Sequence, residues 1–299
     1  MDILKIEGLK KSFLDKEVLS GLDLSVKENS IFGFVGRNGA GKTTTMKAIL
    51  GLITIDAGEI YVSGERVRYG DSRTNRFVGY LPDVPQFYPF MTAREYLNLC
   101  GESLSMPKDD VKKRSEELLE LVGLSREKGR IKGYSRGMKQ RLGIAQALLS
   151  RPKLLICDEP TSALDPIGRK EILDILLSVR EQTTVLFSTH ILSDVERICT
   201  NVALLEGGKI AMQGSVDDLK RSYGSEEITV ELSDGEEAAK LYAIYPKSHF
   251  ADKTTLVLSG GEKEIFCLLD VINKNRISVR KIERTEASLE SLFLEVVKK

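Results

Sequence analysis

Residues 36–44 read GRNGAGKTT, a glycine-rich stretch that ends in a lysine and two threonines. Glycines allow backbone conformations that side chains forbid, so consecutive N–H groups can point at phosphate oxygens. Lys42 can reach the β- and γ-phosphates of a nucleotide, and the Thr43 hydroxyl can ligate Mg²⁺. The residues of this predicted phosphate-binding loop are Gly36, Asn38, Gly39, Ala40, Gly41, Lys42, Thr43 and Thr44.

Acidic and imidazole side chains follow two apolar stretches later in the chain. LLICDEP (154–160) places Asp158 and Glu159 directly after a strand-like run, and His190 follows TVLFST. Ligands bind at the carboxyl ends of buried parallel strands. We therefore expect Asp158 to hold Mg²⁺, Glu159 to activate a water molecule, and His190 to contact a γ-phosphate or that water.

The elements that must position these residues alternate between strands and helices. IFGFV (31–35) is a short, continuous apolar run, which indicates a strand buried on both faces, and TTTMKAILGL after the loop reads as a helix. Strand-like and helical patterns continue to alternate over 153–198. This alternation predicts an α/β fold with a parallel sheet.

Composition excludes several function classes. Lys+Arg and Asp+Glu both number 44 among 299 residues, so the net charge is zero and no nucleic-acid partner is expected. No run of about 18 apolar residues occurs, so another chain would have to span a membrane. The four cysteines form no C-x-x-C pair, which favours reduced, mostly buried thiols over a metal or redox site.

Composition also marks the segments that connect these elements. Three of the eight prolines lie in PDVPQFYPF (82–90), which predicts an extended surface segment. After about residue 215 the pattern becomes that of a small α+β unit with a final helix to Val297, and KRSYGSEE (220–227) is the predicted linker.

Four motifs follow one another in order. They are the phosphate loop, YSRGMKQR (134–141), LLICDEPTSALD (154–165) and STH (188–190). Together they resemble the ATP-binding subunit of an ABC transporter, of the drug- and antibiotic-exporter-like bacterial branch. The resemblance covers about residues 1–215, and we call 134–141 the signature segment.

This resemblance implies an α/β, P-loop NTPase fold with a mostly parallel core sheet, an antiparallel β subdomain and an α-helical subdomain at about 90–150. The ATPase domain would span 1–219 and a C-terminal accessory α+β domain 220–299. By fold-level analogy, the accessory domain would serve regulation or subunit contact.

The resemblance also implies ATP and Mg²⁺ as cofactors, with Lys42, Glu159 and His190 as catalytic residues. Phe13 would stack on adenine, and Asp165 would lie at a dimer interface. The signature segment lacks the Gly-Lys-Thr end of a phosphate loop. Its Ser135 and Gly137 would instead contact the γ-phosphate bound by the opposite subunit, in a homo- or heterodimer.

Asp83 is a departure from the family pattern, which usually has glutamine near the Mg²⁺ and the attacking water. An aspartate could approach Mg²⁺ but cannot donate a hydrogen bond when ionised; Gln86 is the other candidate for the glutamine's role. Arg136 and Met138 also depart from the small and polar residues of the family signature. The segment Pro82–Phe90 is where the family docks its transmembrane permease, and Phe87, Tyr88 and Phe90 would be interface anchors.

The leading hypothesis is therefore an ATP-hydrolysing subunit, peripheral at the cytoplasmic face of the membrane, that powers a separate permease, as an exporter. The main alternative is a soluble mechanical ATPase, although the long coiled-coil insertion or second ATPase unit usual in that class is not visible. A GTPase would need an N-K-x-D motif, and the Asn-Lys pair at 273–274 is followed by Asn-Arg. An ATP-binding regulator without turnover is disfavoured by the retention of Glu159 and His190.

Overall fold

A computed structural model of the chain describes residues 1–14, 16–223, 227–285, 289–290 and 292–293. The chain divides into two compact units, Met1–Val216 and Asp217–Lys299. Most of the predicted helix that ends at Val297, and residues 224–226 of the predicted linker, lie outside the described residues.

The first unit is built on two β-sheets. Its strands are β1 (Asp2–Phe13), β2 (Lys16–Lys27), β3 (Ile31–Val35), β4 (Ala57–Val62), β5 (Glu65–Arg66), β6 (Val78–Leu81), β7 (Leu154–Asp158), β8 (Thr184–Thr189), β9 (Asn201–Glu206) and β10 (Lys209–Ser215). The central sheet has the order β10-β9-β3-β8-β7-β6, and its strands are parallel apart from the antiparallel β9–β10 pair. Every residue of β3, β7 and β8 is buried, which explains their continuous apolar runs.

The second sheet of this unit is antiparallel, with the order β2-β1-β4-β5. Strands β4 and β5 are separated by a turn at Ser63 and Gly64, which both have positive φ. One apolar core contains side chains from both sheets, including Leu4 and Phe34. The predicted fold class, with its parallel core and antiparallel β part, is confirmed.

Helices of the first unit connect these strands. They are α1 (Lys42–Ile49), α2 (Ala93–Ser103), α3 (Lys108–Leu121), α4 (Arg136–Ala147), α5 (Pro166–Val179) and α6 (Leu192–Ile198). Helix α2 begins with a capping box, in which the Thr92 N–H donates to Glu95 Oε2 at 2.8 Å and the Glu95 N–H donates to Thr92 Oγ1 at 3.3 Å. The carboxylate of Glu95 accepts from the backbone N–H and the hydroxyl of Thr92, and these two hydrogen bonds hold the pKa of Glu95 below its usual value.

Residues 82–90 form neither helix nor strand, as the proline content predicts, and include a turn at 89–90. Phe87 packs edge-on against Tyr96 of α2, with ring centroids 5.1 Å apart. The side chains of Tyr88 and Phe90 remain 52% and 61% exposed, and their rings lie 5.8 Å apart. Two of the three aromatic residues in this segment are therefore available to a partner.

The second unit is a small α+β fold. It comprises most of α7 (Val216–Tyr223), then β11 (Glu227–Leu232), α8 (Gly235–Ile244), β12 (His249–Phe250), β13 (Thr255–Ser259), α9 (Glu262–Asn275) and β14 (Val279–Thr285). Its antiparallel sheet has the order β12-β13-β11-β14. From β11 onward, the β-α-β-β-α-β sequence is that of the ferredoxin-like motif.

The linker prediction was wrong at 220–223, because these residues belong to α7. Val216 and Leu219, three residues apart, are both buried and give the helix an apolar face. Acidic residues lie in its first turn and basic residues in its last, which complements the helix dipole. A polar composition therefore concealed an amphipathic helix.

Among the described residues, no helix is both long and apolar enough to cross a bilayer. All four cysteines are free thiols, and Cys157 is fully buried in β7. Burial raises the pKa of the Cys157 and Cys199 thiols, which keeps both in the unreactive protonated form at neutral pH.

Candidate active site

The glycine-rich loop runs from the end of β3 to the start of α1, the context that a phosphate-binding loop requires. Gly41 precedes the helix with φ +113°, a conformation that other residues rarely adopt. A Cβ atom at Gly36 would lie 2.7 Å from the backbone oxygen of Leu205. Glycine is therefore required at Gly41 by backbone conformation and at Gly36 by close packing.

Lys42 is almost fully buried at the first position of α1. Its ammonium group donates to the carbonyl oxygens of Gly36 at 2.6 Å and Arg37 at 3.2 Å. The same group lies 3.1 Å from Glu159 Oε1, which has no hydrogen bond of its own. The ammonium thus joins the phosphate loop to the acidic end of β7.

Thr43 and Asp158 meet at the same place, where the Thr43 hydroxyl donates to Asp158 Oδ2 at 2.7 Å. The other carboxylate oxygen of Asp158 accepts from the Ser188 hydroxyl at 2.6 Å. These oxygen donors suit a hard cation such as Mg²⁺, which protein groups usually hold together with substrate phosphates. The described residues contain no group of three or more His, Cys, Asp or Glu that could hold a metal ion.

Glu159 lies between a cation and an imidazole. Its Oε1 faces Lys42, while its Oε2 lies 2.9 Å from His190 Nδ1. Its backbone N–H donates to the carbonyl and hydroxyl oxygens of Ser188, at 3.1 and 3.0 Å. The φ angle of Glu159 is +48°, a conformation that costs a non-glycine residue about 1–3 kcal/mol. The contacts with Lys42 and His190 hold the carboxylate in place, and those with Ser188 hold the strained backbone.

The side chains of Lys42, Thr43, Glu159 and His190 open onto one cavity of about 460 Å³, a size usual for small-molecule sites. Its lining residues are Phe13, Val18, Asn38, Gly39, Gly41, Lys42, Thr43, Thr44, Asp83, Glu159, Ser162 and His190. The structure thus brings together ten of the residues selected from the sequence. Val18 and Ser162 were not selected, although Ser162 stands within the DEPTSALD motif and could have been.

Phe13 ends β1 at the mouth of this cavity, with its side chain 48% exposed. The Lys11 ammonium lies 5.0 Å from the centre of its ring and also pairs with Asp56 at 3.3 Å. This cation–π contact fixes the ring while leaving much of its surface free for a base to stack on.

Gly36, Ala40 and Asp158 do not line the cavity, although Gly36 and Asp158 are hydrogen-bonded to Lys42 and Thr43, which do. The remaining predicted residues lie at the starts of two helices. Ser135 caps α4, where its hydroxyl accepts from the Met138 N–H at 3.2 Å. Asp165 caps α5 in the same way through the Gly168 N–H at 3.1 Å. Among the described residues that line the cavity, neither Ser135, Gly137 nor Asp165 is present.

Comparison with known proteins identifies the family. The sequence profile described as "ABC transporter" matches residues 19–162, and that described as "ATP-binding protein DrrA1-3-like, C-terminal domain" matches 214–297. The uncharacterized ABC transporter ATP-binding protein YxlF of Bacillus subtilis (strain 168) is 38% identical over 99% of both chains. This chain belongs to the ABC transporter ATP-binding proteins. The family predicted from the motifs is therefore confirmed.

Further relatives and solved structures belong to the same family. The bacitracin transport ATP-binding protein BcrA of Bacillus licheniformis is 37% identical over 99% of this chain and 97% of its own length. A solved structure described as the ATP binding subunit of an ABC transporter is 31% identical, with a TM-score of 0.66 over 74% of this chain and 93% of its own. The cbiO1 protein of Clostridium perfringens, part of the transporter complex cbiONQ, has a TM-score of 0.69 at 25% identity over 82% of this chain and 96% of its own.

As an ABC transporter ATP-binding protein, the chain binds ATP with Mg²⁺ and hydrolyses it. Proteins of this family work as dimers with a membrane permease, and this chain powers such a separate permease. The alternative of a mechanical ATPase that is not coupled to transport is not favoured.

Proposed function

We propose that this chain drives export of an antibiotic-like compound through a dimer in which each chain completes the nucleotide site of the other. The observation that carries the dimer arrangement is the division of the predicted residues. The cavity contains the phosphate loop, Glu159 and His190, whereas Ser135, Gly137 and Asp165 lie elsewhere at helix starts. A site that needs all of them requires a second subunit.

Within this site, we assign phosphate binding to the amides of residues 38–44 and to Lys42. Thr43 and Asp158 would hold Mg²⁺, with Asp83 at the edge of the metal site. The ion would supply charge neutralisation for the phosphate oxygens. Helix α1 contributes the positive end of its dipole. Phe13 would stack on the adenine, with Lys11 fixing its ring.

We assign Glu159 as the general base that accepts a proton from the attacking water. With the proton of neutral His190 on Nδ1, the imidazole donates to Glu159 Oε2 and holds that carboxylate in place. Ser188 fixes the backbone of Glu159 and the side chain of Asp158 together. The positions of Glu159 and Asp158 relative to each other would therefore stay constant during turnover.

The docking surface for the permease is assigned to Pro82–Phe90 and the groove beside it. This groove, about 490 Å³, lies between β6, α2 and α4 and is lined by Tyr80, Tyr88, Tyr96 and Leu99 among others. Its aromatic lining, with Phe90 exposed nearby, suits an apolar anchor on a permease segment. Through this contact the chain would work at the cytoplasmic face of the membrane.

The exporter assignment draws on the names of two relatives. BcrA is named for bacitracin transport, and LnrL of Bacillus subtilis (strain 168), 33% identical over 98% of this chain, is named for linearmycin resistance. The match of residues 214–297 to a DrrA-like C-terminal domain supports the same branch. We assign this second unit to regulation or subunit contact.

Replacing Ser135 with Asp tests the dimer arrangement. Aspartate also caps helices well, so α4 should still begin at this position. Across a dimer, however, the new carboxylate would face the γ-phosphate of the partner, at a cost on the order of 1–4 kcal/mol. In a Glu159→Gln background, which slows ATP turnover, we expect the Ser135→Asp chain to bind ATP normally but to stay monomeric by light scattering.

The matched control is Ser125→Asp, which replaces an exposed serine outside the signature segment and should dimerise. An ATP-dependent dimer that tolerates Ser135→Asp would contradict the arrangement.

A further inference from the structure

Asp83 and Arg136, two departures from the family pattern, contact each other. Arg136 Nη2 lies 3.2 Å from Asp83 Oδ1, although 52 residues separate the two positions in the chain. Both side chains are a little under half exposed. Each unusual residue therefore has the other as its charge partner.

The pair belongs to a longer contact along one face of α4. The buried side chain of Gln140 donates through Nε2 to the Asp83 carbonyl oxygen at 2.6 Å. At Gly143, a Cβ atom would lie 2.5 Å from Leu81 Cδ1, so the segment packs directly on the helix backbone. Positions 136, 140 and 143 recur at helical spacing and share one face. The backbone of Asp83 is thus fixed against α4, and Arg136 lies within reach of its carboxylate.

The electrostatics of the cavity explain why such a partner is needed. Asp83 lines the same cavity as Glu159 and as Thr43, whose hydroxyl donates to the buried carboxylate of Asp158. An unpaired carboxylate at Asp83 would repel the phosphates of ATP, whereas a glutamine there would not. Arg136 supplies one positive charge that offsets it, and an arginine keeps that charge at any working pH.

We propose that Arg136 is the positioning residue for Asp83. It cancels the charge of this carboxylate and holds it at the edge of the cavity, which allows an aspartate to stand where the family has glutamine. The pair also joins the start of α4, capped by Ser135, to the first residues of the docking segment. The inference rests on the assignment of the cavity to Mg-ATP.

The test compares dissociation constants of the full-length chain for Mg²⁺ with a non-hydrolysable ATP analogue. Arg136→Gln leaves Asp83 unpaired and should weaken binding about two- to fivefold at low salt, the range of exposed charge pairs. Asp83→Asn in addition should recover most of the affinity lost in Arg136→Gln, because the net charge of the pair is again zero. Any remaining deficit measures what the Asp83 carboxylate itself contributes at the edge of the metal site. The effect of Arg136→Gln should shrink between about 0.05 and 0.5 M salt as screening increases.

Arg76→Gln is the matched control, because Arg76 forms an exposed pair with Glu65 and neither residue lines the cavity among those described. It should leave nucleotide binding unchanged. Two results would overturn the proposal. One is an Arg136→Gln chain that binds as tightly as wild type at low salt, and the other is a double variant that stays as weak as Arg136→Gln, since Arg136 would then contact phosphate directly. A wild-type chain that fails to bind the analogue would instead contradict the assignment of the cavity.

Discussion

Replacing Glu159 with Gln is expected to lower the rate of ATP hydrolysis about 10²- to 10⁴-fold, the contribution of a positioned general base. Glutamine has the same shape, so the strained backbone at this position and its hydrogen bonds to Ser188 should persist. Its amide cannot accept the proton of the attacking water. ATP binding should remain, because Lys42 and the loop amides are unchanged.

A single-turnover assay of phosphate release, together with an equilibrium measurement of ATP binding, checks this expectation. Glu181→Gln, an exposed residue beyond the end of α5, is the matched control and should hydrolyse ATP at the wild-type rate. A Glu159→Gln chain that turns over within tenfold of wild type would remove Glu159 from the role of base.

Replacing Lys42 with Ala should abolish hydrolysis by a different route, through loss of phosphate binding. The buried ammonium contacts the carbonyl oxygens of Gly36 and Arg37 and the carboxylate of Glu159. Without it, the site loses the cation that would face the β- and γ-phosphates. Removing one such preorganised group commonly costs about 10²–10³ in rate. We expect ATP affinity to fall as well, in contrast to Glu159→Gln.

Lys47→Ala is the matched control, since Lys47 is exposed in the last turn of the same helix. Hydrolysis and ATP binding should be measured beside a thermal melt of each variant, because Lys42 also satisfies buried carbonyl groups. Undiminished hydrolysis by a folded Lys42→Ala chain would exclude the phosphate loop from the mechanism.

Much of the site could be predicted from the sequence because its motifs are local. The phosphate loop must have a strand before it and a helix after it, and IFGFV and TTTMKAILGL supplied both patterns. The carboxylates follow a strand directly, so parallel strand order was enough to bring Asp158 and Glu159 to the loop. Such features depend on short stretches whose structure is determined by nearby residues.

Other parts of the site depend on contacts between distant residues. Ser188 follows an apolar run and begins the STH motif, but it was given no role, yet it holds both Asp158 and Glu159. Its side chain is fully buried beside the acidic end of β7, which only the structure shows. The pairing of Asp83 with Arg136 could not be predicted either, because it depends on how α4 packs against the segment after β6.

The central claim is that the signature segment of one chain completes the cavity of another, and cross-linking between two chains tests it most directly. One chain would carry Ser135→Cys and a differently tagged chain Asn38→Cys, a residue that lines the cavity. Both would lack the exposed native thiol through Cys267→Ser. With Mg-ATP and a short thiol cross-linker, we predict a product that contains both tags and fails to form without ATP. Absence of this mixed product, from chains that each bind ATP, would contradict the claim.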